Sequence, residues 1–171
     1  MSIIKYEKNE PQIDKSVFIA HNATVIGNVF IKENSSIWFN SVIRADADKI
    51  FIGQCTNIQD MTVCHVDPGC PIKIGDYVTV GHRCVIHGCN IDNNCLIGMG
   101  AIIMNNAKIG ECSIIAAGSV VKEDSVIPPY SLVTGIPGKI KKQLEKDVLQ
   151  YIKRFAMEYI KRADKYKLIS V

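Results

Sequence analysis

Three of the four histidines, His65, His82 and His87, lie within a stretch of 23 residues. Neutral imidazole is the commonest protein ligand for metals, and three such ligands on zinc leave a fourth coordination position open, as in catalytic sites. The fourth histidine, His21 in the stretch AHNAT, stands apart and is expected to be an ordinary surface residue. Whether the other three can bind one ion depends on where the fold places them.

The rest of the composition gives the class of protein but no second metal motif. The seven cysteines are odd in number and contain no C-x-x-C pair, so a disulfide framework or a paired-cysteine zinc site is disfavoured. The start of the sequence has no basic segment followed by an apolar run, and we expect a cytoplasmic protein with reduced thiols. An apolar content of 47% without a run of about 18 apolar residues indicates a globular chain with no membrane span.

A six-residue repeat runs through most of the sequence. A branched aliphatic residue or Cys recurs every sixth position, with a small or β-branched residue four positions after nearly every one. The repeating residues are Ile13, Ile19, Val25, Ile31, Ile37 and Ile43, then Ile52, Ile58 and Cys64, then Ile74, Val80 and Ile86, and finally Ile91, Ile97, Ile103, Ile109, Ile115, Val121, Ile127 and Val133.

This repeat predicts an all-β solenoid. Very short strands joined by tight corners would form triangular coils of about eighteen residues, which become stable by stacking on one another. Each inward Ile or Val would contribute about 1.5–3 kcal/mol when buried. The pattern resembles the left-handed parallel β-helix of hexapeptide-repeat proteins, and the handedness rests on that resemblance. Residues 1–138 are predicted to form this domain, with a short lead-in over 1–12 and breaks at 48–51, 66–73 and 86–91.

Residues 139–171 are predicted to form a C-terminal amphipathic helix. Pro137 and Gly138 end the repeat, and apolar residues then recur at spacings of three and four, which favours a helix packed on the β-helix or on a neighbouring subunit. This segment carries ten basic and four acidic residues, a sum of +6. Such a basic segment is compatible with a nucleic-acid or membrane surface, but its dispersed lysines favour a solvated helix face.

Counting coils places the histidines on faces, here named A, B and C. With Cys64 on face A and a four-residue insertion near DPGC, Ile86 also falls on face A. His65 and His87 then occupy one column, one coil apart, at a rung spacing of about 4.8 Å, close enough to share an ion. With three residues inserted near 48–51, Arg44 falls in the same column.

His82 falls on face C, beyond a corner from the other two histidines. Gln59 and Asp60 lie one coil below it on that face. In its own chain His82 is not expected to reach His65 and His87, but a neighbouring subunit in a threefold ring could supply it. A single catalytic base without a metal remained a second interpretation of these histidines.

Four stretches resemble the gamma-class carbonic anhydrase family: SIWFNSVIRADAD, IGQCTNIQDMTVCH, IGDYVTVGHRCVIHGC and IDNNCLIGMGAIIMNNAKIG. The resemblance runs from about residue 10 to the final helix. It implies a homotrimer with a divalent metal between subunits, most simply Zn²⁺ with Fe²⁺ or Co²⁺ as alternatives, bound by His65 and His87 of one chain and His82 of the next. It implies a reaction in which metal-bound hydroxide attacks carbon dioxide to give bicarbonate.

The resemblance also assigns roles to other residues. Arg44 and Asp60 resemble a salt bridge across the subunit boundary, with Asp46 supporting Arg44. Gln59 matches the residue that hydrogen-bonds the metal-bound hydroxide. The remaining two matches are Asn57, which would orient carbon dioxide, and Tyr159, which would be an active-site tyrosine on the C-terminal helix.

The sequence departs from the family pattern at the proton shuttle. Two glutamates of the family correspond here to Ala47 and approximately to Pro68, and neither Asp48 nor Asp67 stands at a matching position. The metal site is therefore better supported than the reaction. Two alternatives stay open: an acyltransferase or thioesterase acting on a coenzyme A thioester, with His82 or His87 as general base, and a catalytically silent metal-binding homologue.

Overall fold

Strands of mostly two or three residues, separated by tight corners, form the body of the protein in the computed structural model, which describes residues 1–169. They build a parallel β-solenoid of about seven turns followed by a C-terminal helix, which confirms the predicted fold class. In chain order the strands are β1 (Ser2–Ile4), β2 (Gln12–Ile13), β3 (Phe18–Ile19), β4 (Thr24–Ile31), β5 (Ser36–Ile37), β6 (Val42–Ile52), β7 (Asn57–Ile58), β8 (Val63–His65), β9 (Ile72–Ile74), β10 (Thr79–Val80), β11 (Val85–His87), β12 (Asn90–Ile91), β13 (Leu96–Ile97), β14 (Ile102–Ile103), β15 (Lys108–Ile109), β16 (Ile114–Ile115), β17 (Val120–Val121), β18 (Val126–Ile127), β19 (Ser131–Thr134) and β20 (Lys139–Gln143), and the helix is α1 (Val148–Leu168).

The strands stack into the three predicted faces. Face A contains β1, β8, β11, β14 and β17, face B contains β2, β9, β12, β15 and β18, and face C contains β3, β5, β7, β10, β13, β16 and β19. The long strands β4 and β6 turn a corner and contribute to both A and B. Within each face the ladders are parallel, and side chains alternate between the core and the outside.

The corners explain why six residues suffice for one side of the triangle. A left-handed backbone recurs at a fixed place in the repeat, as at Asn94 (φ 55°), Gly100 (φ 70°), Asn106 (φ 59°) and Cys112 (φ 55°). Asn and Gly adopt this conformation at low cost, and each such residue turns the chain sharply from one face to the next.

The inward aliphatic residues form continuous ladders along the solenoid axis. Ile74, Ile91 and Ile109 are neighbours on face B, and each is fully buried. Alanine, cysteine and small polar residues fill other interior positions, and over residues 1–169 no buried side-chain nitrogen or oxygen lacks a hydrogen-bond partner. The Ser35 hydroxyl donates to the Gly53 backbone carbonyl at 2.7 Å, and the Ser41 hydroxyl donates to the Gln59 backbone carbonyl at 2.8 Å. The core is therefore mainly aliphatic, and these serine hydroxyls bond to backbone carbonyls of the next coil.

Two insertions lie on the boundary between faces A and B. Between β4 and β6 the pairing jumps from Gly27–Ala45 to Val29–Ile50, so three extra residues protrude from β6. The second is a tight turn closed by an antiparallel bridge between Asp67 and Cys70. Both fall where the broken repeat predicted them, and both bring acidic residues toward the histidines of face A.

The ends of the solenoid differ from the prediction. The lead-in over 1–12 already contains strands, because Ser2–Ile4 pairs with Thr24–Ile26 in the first coil. At the other end Lys139–Gln143, expected to begin the helical segment, forms β20 antiparallel to β19. An antiparallel strand follows β19 directly because the chain reverses at Thr134–Gly138, and the helix begins only at Val148.

Helix α1 packs on face C of its own chain. Its buried residues are Ile152, Ala156, Tyr159 and Ala163. The ring of Tyr159 lies at 5.2 Å and nearly perpendicular to that of Trp38, whose indole N–H donates to the Ser36 hydroxyl at 2.9 Å. Over residues 1–169, we find no helix with the length and apolar character needed to cross a membrane.

We expect one cysteine to react far faster than the other six in the native protein. Cys70 is partly exposed and the others are buried. Burial raises the pKa of the Cys89 and Cys95 thiols to about 12, so at pH 8 their reactive thiolate forms are scarcely populated. Titration with Ellman's reagent at pH 8 should release one equivalent rapidly, and all seven only after denaturation. Rapid release of several equivalents from folded protein would contradict this burial.

Candidate metal centre

His65 and His87 lie side by side on face A, as the register count predicted. The last residues of β8 and β11 pair directly, and Arg44 of β6 pairs with His65 one coil below. The two imidazole rings are 5.0 Å apart between centroids, and His65 Nδ1 lies 2.9 Å from His87 Nε2. Alternation along the strand turns both rings outward while Cys64 and Ile86 enter the core.

The insertion in β6 supports His65. Asp46 Oδ1 lies 3.1 Å from His65 Nε2, and the other oxygen of Asp46 accepts from the Arg44 guanidinium. Burial raises the pKa of Asp46, but hydrogen bonds from Arg44, the backbone and His65 together lower it below its ordinary value. An ionised Asp46 accepts from His65 Nε2–H, which leaves the lone pair on His65 Nδ1.

A second acidic residue reaches the pair through an amide. Asn105 Oδ1 lies 2.6 Å from His87 Nδ1, and Asn105 Nδ2 donates to Asp67 Oδ2 at 2.8 Å. Ligand atoms of His65, Asp67 and His87 all lie within 4.8 Å of one another. Sequence reasoning did not include Asn105 in the site, and it considered Asp67 only as a proton shuttle.

His82 lies on face C with the residues predicted to accompany it. Its Nδ1 is 2.7 Å from Asp60 Oδ2, and Gln59, His82 and Tyr159 line a cleft of about 390 Å³ between face C and α1. Burial, with a contribution from the Asp60 charge, raises the pKa of the Tyr159 hydroxyl, so it is neutral at physiological pH. Within residues 1–169 of one chain, His82 is not grouped with His65 and His87, as the face count predicted.

The amide of Asn57 lies under the cleft floor instead of facing it. Gln59 Nε2 donates to Asn57 Oδ1 at 3.0 Å, and Asn57 Nδ2 donates to the Thr79 hydroxyl at 2.9 Å. Only 1% of Asn57 is exposed, so in the single chain this residue orients Gln59 and does not reach the open cleft. The side-chain oxygen of Gln59, Oε1, makes no hydrogen bond among the described residues and is free to accept one.

The two predicted partners of the interface salt bridge have other partners within the chain. Arg44 bonds Asp46, and Asp60 contacts His82. Their side chains keep 43% and 33% of their surface exposed. The pairing of Arg44 with Asp60 across a boundary therefore remains a prediction about the assembly.

Asp48 and Asp67, the aspartates closest to the positions of the two absent glutamates, each accept a hydrogen bond from another coil or turn. Asp48 Oδ2 accepts from the backbone N–H of Gly69 at 3.1 Å, which ties the β6 insertion to the Asp67–Cys70 turn. Asp67 is bound to Asn105. Each carboxylate therefore has a structural hydrogen bond within the single chain, and neither is shown in the proton-shuttle role that the resemblance gives to the two absent glutamates.

The three histidines share one chemical arrangement. In each, one ring nitrogen faces a carboxylate or amide oxygen: Asp46 for His65, Asp60 for His82 and Asn105 for His87. Such acceptors fix the tautomer and leave a lone pair on the opposite nitrogen, the arrangement common to metal-binding histidines. His21, by contrast, is exposed, and its ring lies edge-on to that of Phe39 at 5.6 Å between ring centroids.

Comparisons with known proteins support the hexapeptide repeat and the family resemblance. Residues 88–123 match the model of the family described as bacterial transferase hexapeptide (six repeats). A protein named probable carbonic anhydrase from Methanocaldococcus jannaschii is 55% identical over 152 residues, which cover 89% of this chain and 96% of that protein. Gamma carbonic anhydrase 2, mitochondrial, from Arabidopsis thaliana is 41% identical over 90% of this chain and 57% of that protein.

A solved structure extends the match to the whole fold. A protein described as a putative acetyltransferase from Bacillus cereus is 40% identical, has a TM-score of 0.96, and covers 99% of this chain and 98% of that one. The identity to the Methanocaldococcus protein extends over nearly its full length, which carries the assignment. Together with the hexapeptide coil, it shows that this chain belongs to the gamma-class carbonic anhydrase family of hexapeptide-repeat proteins.

Proposed function

We propose that the protein is a metal-dependent carbonic anhydrase that converts carbon dioxide and water to bicarbonate and a proton. The observation that carries the proposal is the approach of His65 Nδ1 to His87 Nε2 at 2.9 Å. In the neutral rings each of these atoms holds a lone pair, because the other nitrogen of each ring faces an acceptor. Two lone pairs at this distance repel unless a proton or a cation lies between them.

The donor set fits a borderline divalent metal. Two neutral imidazoles converge on face A, and a third, His82, presents its Nε2 from face C with Asp60 behind it. Imidazole suits Zn²⁺, Fe²⁺ and Co²⁺ alike, and Zn²⁺ is our expected ion. Such an ion supplies Lewis acidity that makes water a nucleophile near neutral pH.

The site requires a second chain, and we propose a homotrimer. Face A of one subunit would meet face C of the next, so that each boundary combines His65 and His87 with the neighbour's His82. Closed threefold rings of this kind use the same pair of unlike surfaces at each boundary. The exposed sides of Arg44 and Asp60 would pair there, with Asp46 holding the guanidinium in place.

The residues around the cleft suit a small apolar substrate. Gln59 is 6% exposed and is held by Asn57, so its carbonyl oxygen can accept a hydrogen bond from the attacking water and orient it. Tyr159 closes one side of the cleft, with its ring on Trp38 and a neutral hydroxyl. In this arrangement Gln59 and Tyr159 touch the reactants, and Asn57 acts through Gln59.

Stopped-flow measurement of carbon dioxide hydration tests the proposal. Protein purified with its metal, or loaded with Zn²⁺, Co²⁺ or anaerobically with Fe²⁺, should be active, whereas chelator-stripped protein should be inactive and recover on reloading. Because Ala47 and Pro68 replace the shuttle glutamates, turnover should also increase with buffer concentration. Absence of hydration with all three metals, in folded trimeric protein with one metal per site, would contradict the proposal.

Acyl transfer is a second candidate function, supported by the match to the Bacillus cereus protein described as a putative acetyltransferase. The cleft beside His82 is lined by the apolar residues Leu96, Met99 and Phe155, which could hold an acyl chain. Calorimetric titration with acetyl-coenzyme A separates this candidate, and a thioesterase, from the first. A protein that binds metal stoichiometrically but shows neither activity would be the silent homologue.

A cytoplasmic location stays a prediction.

A further inference from the structure

A hydrogen-bonded chain runs from the Asp67 carboxylate through the amide of Asn105 to the His87 ring. Asn105 Nδ2 donates to Asp67 Oδ2 at 2.8 Å, and Asn105 Oδ1 is 2.6 Å from His87 Nδ1. The three residues come from different parts of the fold: the inserted turn after β8, the corner after β14 and the end of β11. The amide therefore bridges two coils at the edge of the histidine pair.

The carboxylate decides which way the amide points. A carboxylate only accepts hydrogen bonds, so Asn105 must turn its NH₂ group to Asp67 and its oxygen to His87. The flipped amide would place its oxygen against a carboxylate oxygen and its NH₂ against the His87 N–H. The oxygen in turn requires a proton on His87 Nδ1, which leaves Nε2 as the atom with a lone pair, facing His65.

Gly88 makes this contact possible. It has a left-handed backbone with φ of 51°, and a Cβ atom built on it would lie 2.4 Å from Asn105 Oδ1. Any other residue directly after His87 would displace the amide from the imidazole. Gly88 also accepts a hydrogen bond from the backbone N–H of Asn106 at 2.7 Å, which holds the corner that carries Asn105.

We propose that Asn105 is a positioning residue that selects the tautomer of His87 in which Nε2 is free to bind metal, with Asp67 setting the direction of the amide. The metal-binding part of this inference rests on the proposed function, whereas the tautomer does not. Without Asn105, a proton on His87 Nδ1 has no hydrogen-bond acceptor. The same proton placed on His87 Nε2 has one. That acceptor is His65 Nδ1, which then accepts from His87 Nε2–H across the 2.9 Å gap and closes the site to metal.

The tautomer can be observed in the metal-free protein. Long-range ¹H–¹⁵N correlation spectra should show a proton on His87 Nδ1 in the wild type, whether or not a second proton bridges the two rings, and a proton only on His87 Nε2 in Asn105→Leu. Asn105→Asp, which keeps an acceptor, should retain the Nδ1 proton and serves as the second variant if Asn105→Leu fails to fold. A wild-type protein with His87 protonated only at Nε2 would overturn the proposal.

Metal affinity gives the second readout, measured with Zn²⁺ and Co²⁺ by competition against a chelator. Loss of an outer hydrogen-bond partner typically weakens metal binding about 10–100-fold, and we expect this for Asn105→Leu. The exchanged pair Asn105→Asp with Asp67→Asn keeps both hydrogen bonds, since the carboxylate now accepts from His87 and from the new amide. This double variant should bind within about threefold of the wild type and restore its Co²⁺ absorption spectrum.

Asn90→Ala is the matched control, because Asn90 also donates its amide to a carboxylate, Asp92 at 2.8 Å, but on face B. It should leave both readouts unchanged. Asn105→Leu binding metal as tightly as Asn90→Ala would overturn the positioning role. A wild-type protein that binds neither ion but keeps the Nδ1 proton would instead contradict the proposed function and leave the tautomer assignment standing.

Discussion

Mixing two inactive variants is expected to restore about one quarter of the wild-type carbon dioxide hydration activity. His82→Ala removes the face C ligand and His87→Ala removes a face A ligand, so each homotrimer has no complete site. In mixed trimers a boundary is complete when face A comes from the His82→Ala chain and face C from the His87→Ala chain. At equal amounts and random assembly this occurs at about one boundary in four, one half times one half.

The measurement uses the two variants co-expressed at equal levels and purified through a shared tag, so that mixed trimers and both homotrimers are retained in random proportion. Trimers purified through a different tag on each chain exclude the homotrimers, and these should reach about one third, because one of their three boundaries is complete. Each homotrimer alone should be close to the uncatalysed rate and should lose its stoichiometric metal. His21→Ala is the control, because His21 is exposed and its ring packs against Phe39, away from the other three histidines. A mixture no more active than its separate components would exclude a site shared between chains, and full metal retention by His82→Ala would remove His82 from the ligands.

The register of the histidines was predictable because a six-residue step is nearly invariant along the chain. Every inward aliphatic position marks the phase, so the insertions of three and four residues could be counted from the gaps they leave. That count placed Arg44, His65 and His87 in one column and Asp60 below His82, and the strand pairing agrees. The periodic part of the site is therefore a consequence of the repeat itself.

The contacts of the inserted turn were not predictable in the same way. The turn closed by Asp67 and Cys70 has no periodicity, and its direction depends on bonds to Asp48 and Asn105 from other coils. The short step from Ile86 to Ile91 also moves the next coil by one residue. Because of this short step, Ile86 pairs with Ile103, 17 residues later, and Asn105 falls one position past the residue that would pair with His87. The Asn105 amide can reach back to His87 only because Gly88 has no side chain. The glycine directly after a candidate metal ligand was the one sequence feature that could have indicated a close contact there.

The ends of the domain were misjudged for a related reason. An edge coil has a neighbour on one side only, so its aliphatic pattern is weaker and the repeat is harder to recognise. Ile3 is 45% exposed although it pairs in register with Val25, which is fully buried. Lys139–Gln143 is exposed throughout and carries no inward position, so the six-residue repeat gives no sign of a strand there and the stretch was grouped with the helix that follows it.

Truncating one inward residue in the middle of the solenoid should cost about 2–5 kcal/mol of unfolding free energy, as for other buried Ile→Ala changes. Ile91 is the clearest site, because it is 0% exposed and lies between Ile74 and Ile109 in the ladder of face B. Its loss leaves a cavity that the stacked coils cannot fill, since each neighbour is held by its own ladder of backbone hydrogen bonds. Urea unfolding followed by circular dichroism, at one fixed protein concentration because assembly contributes to stability, measures the change.

Val126→Ala is the matched control on the same face. Val126 is 67% exposed and points away from the core, next to the inward Ile127, so its truncation should change stability by less than about 0.5 kcal/mol. Because Ile91 lies on face B, its replacement should lower stability while metal content per folded chain stays unchanged. If Ile91→Ala unfolded at the same urea concentration as Val126→Ala, the stacked aliphatic ladder would not be what stabilises the solenoid. A loss of metal from folded Ile91→Ala would show instead that the coil transmits packing defects to the histidine pair on face A.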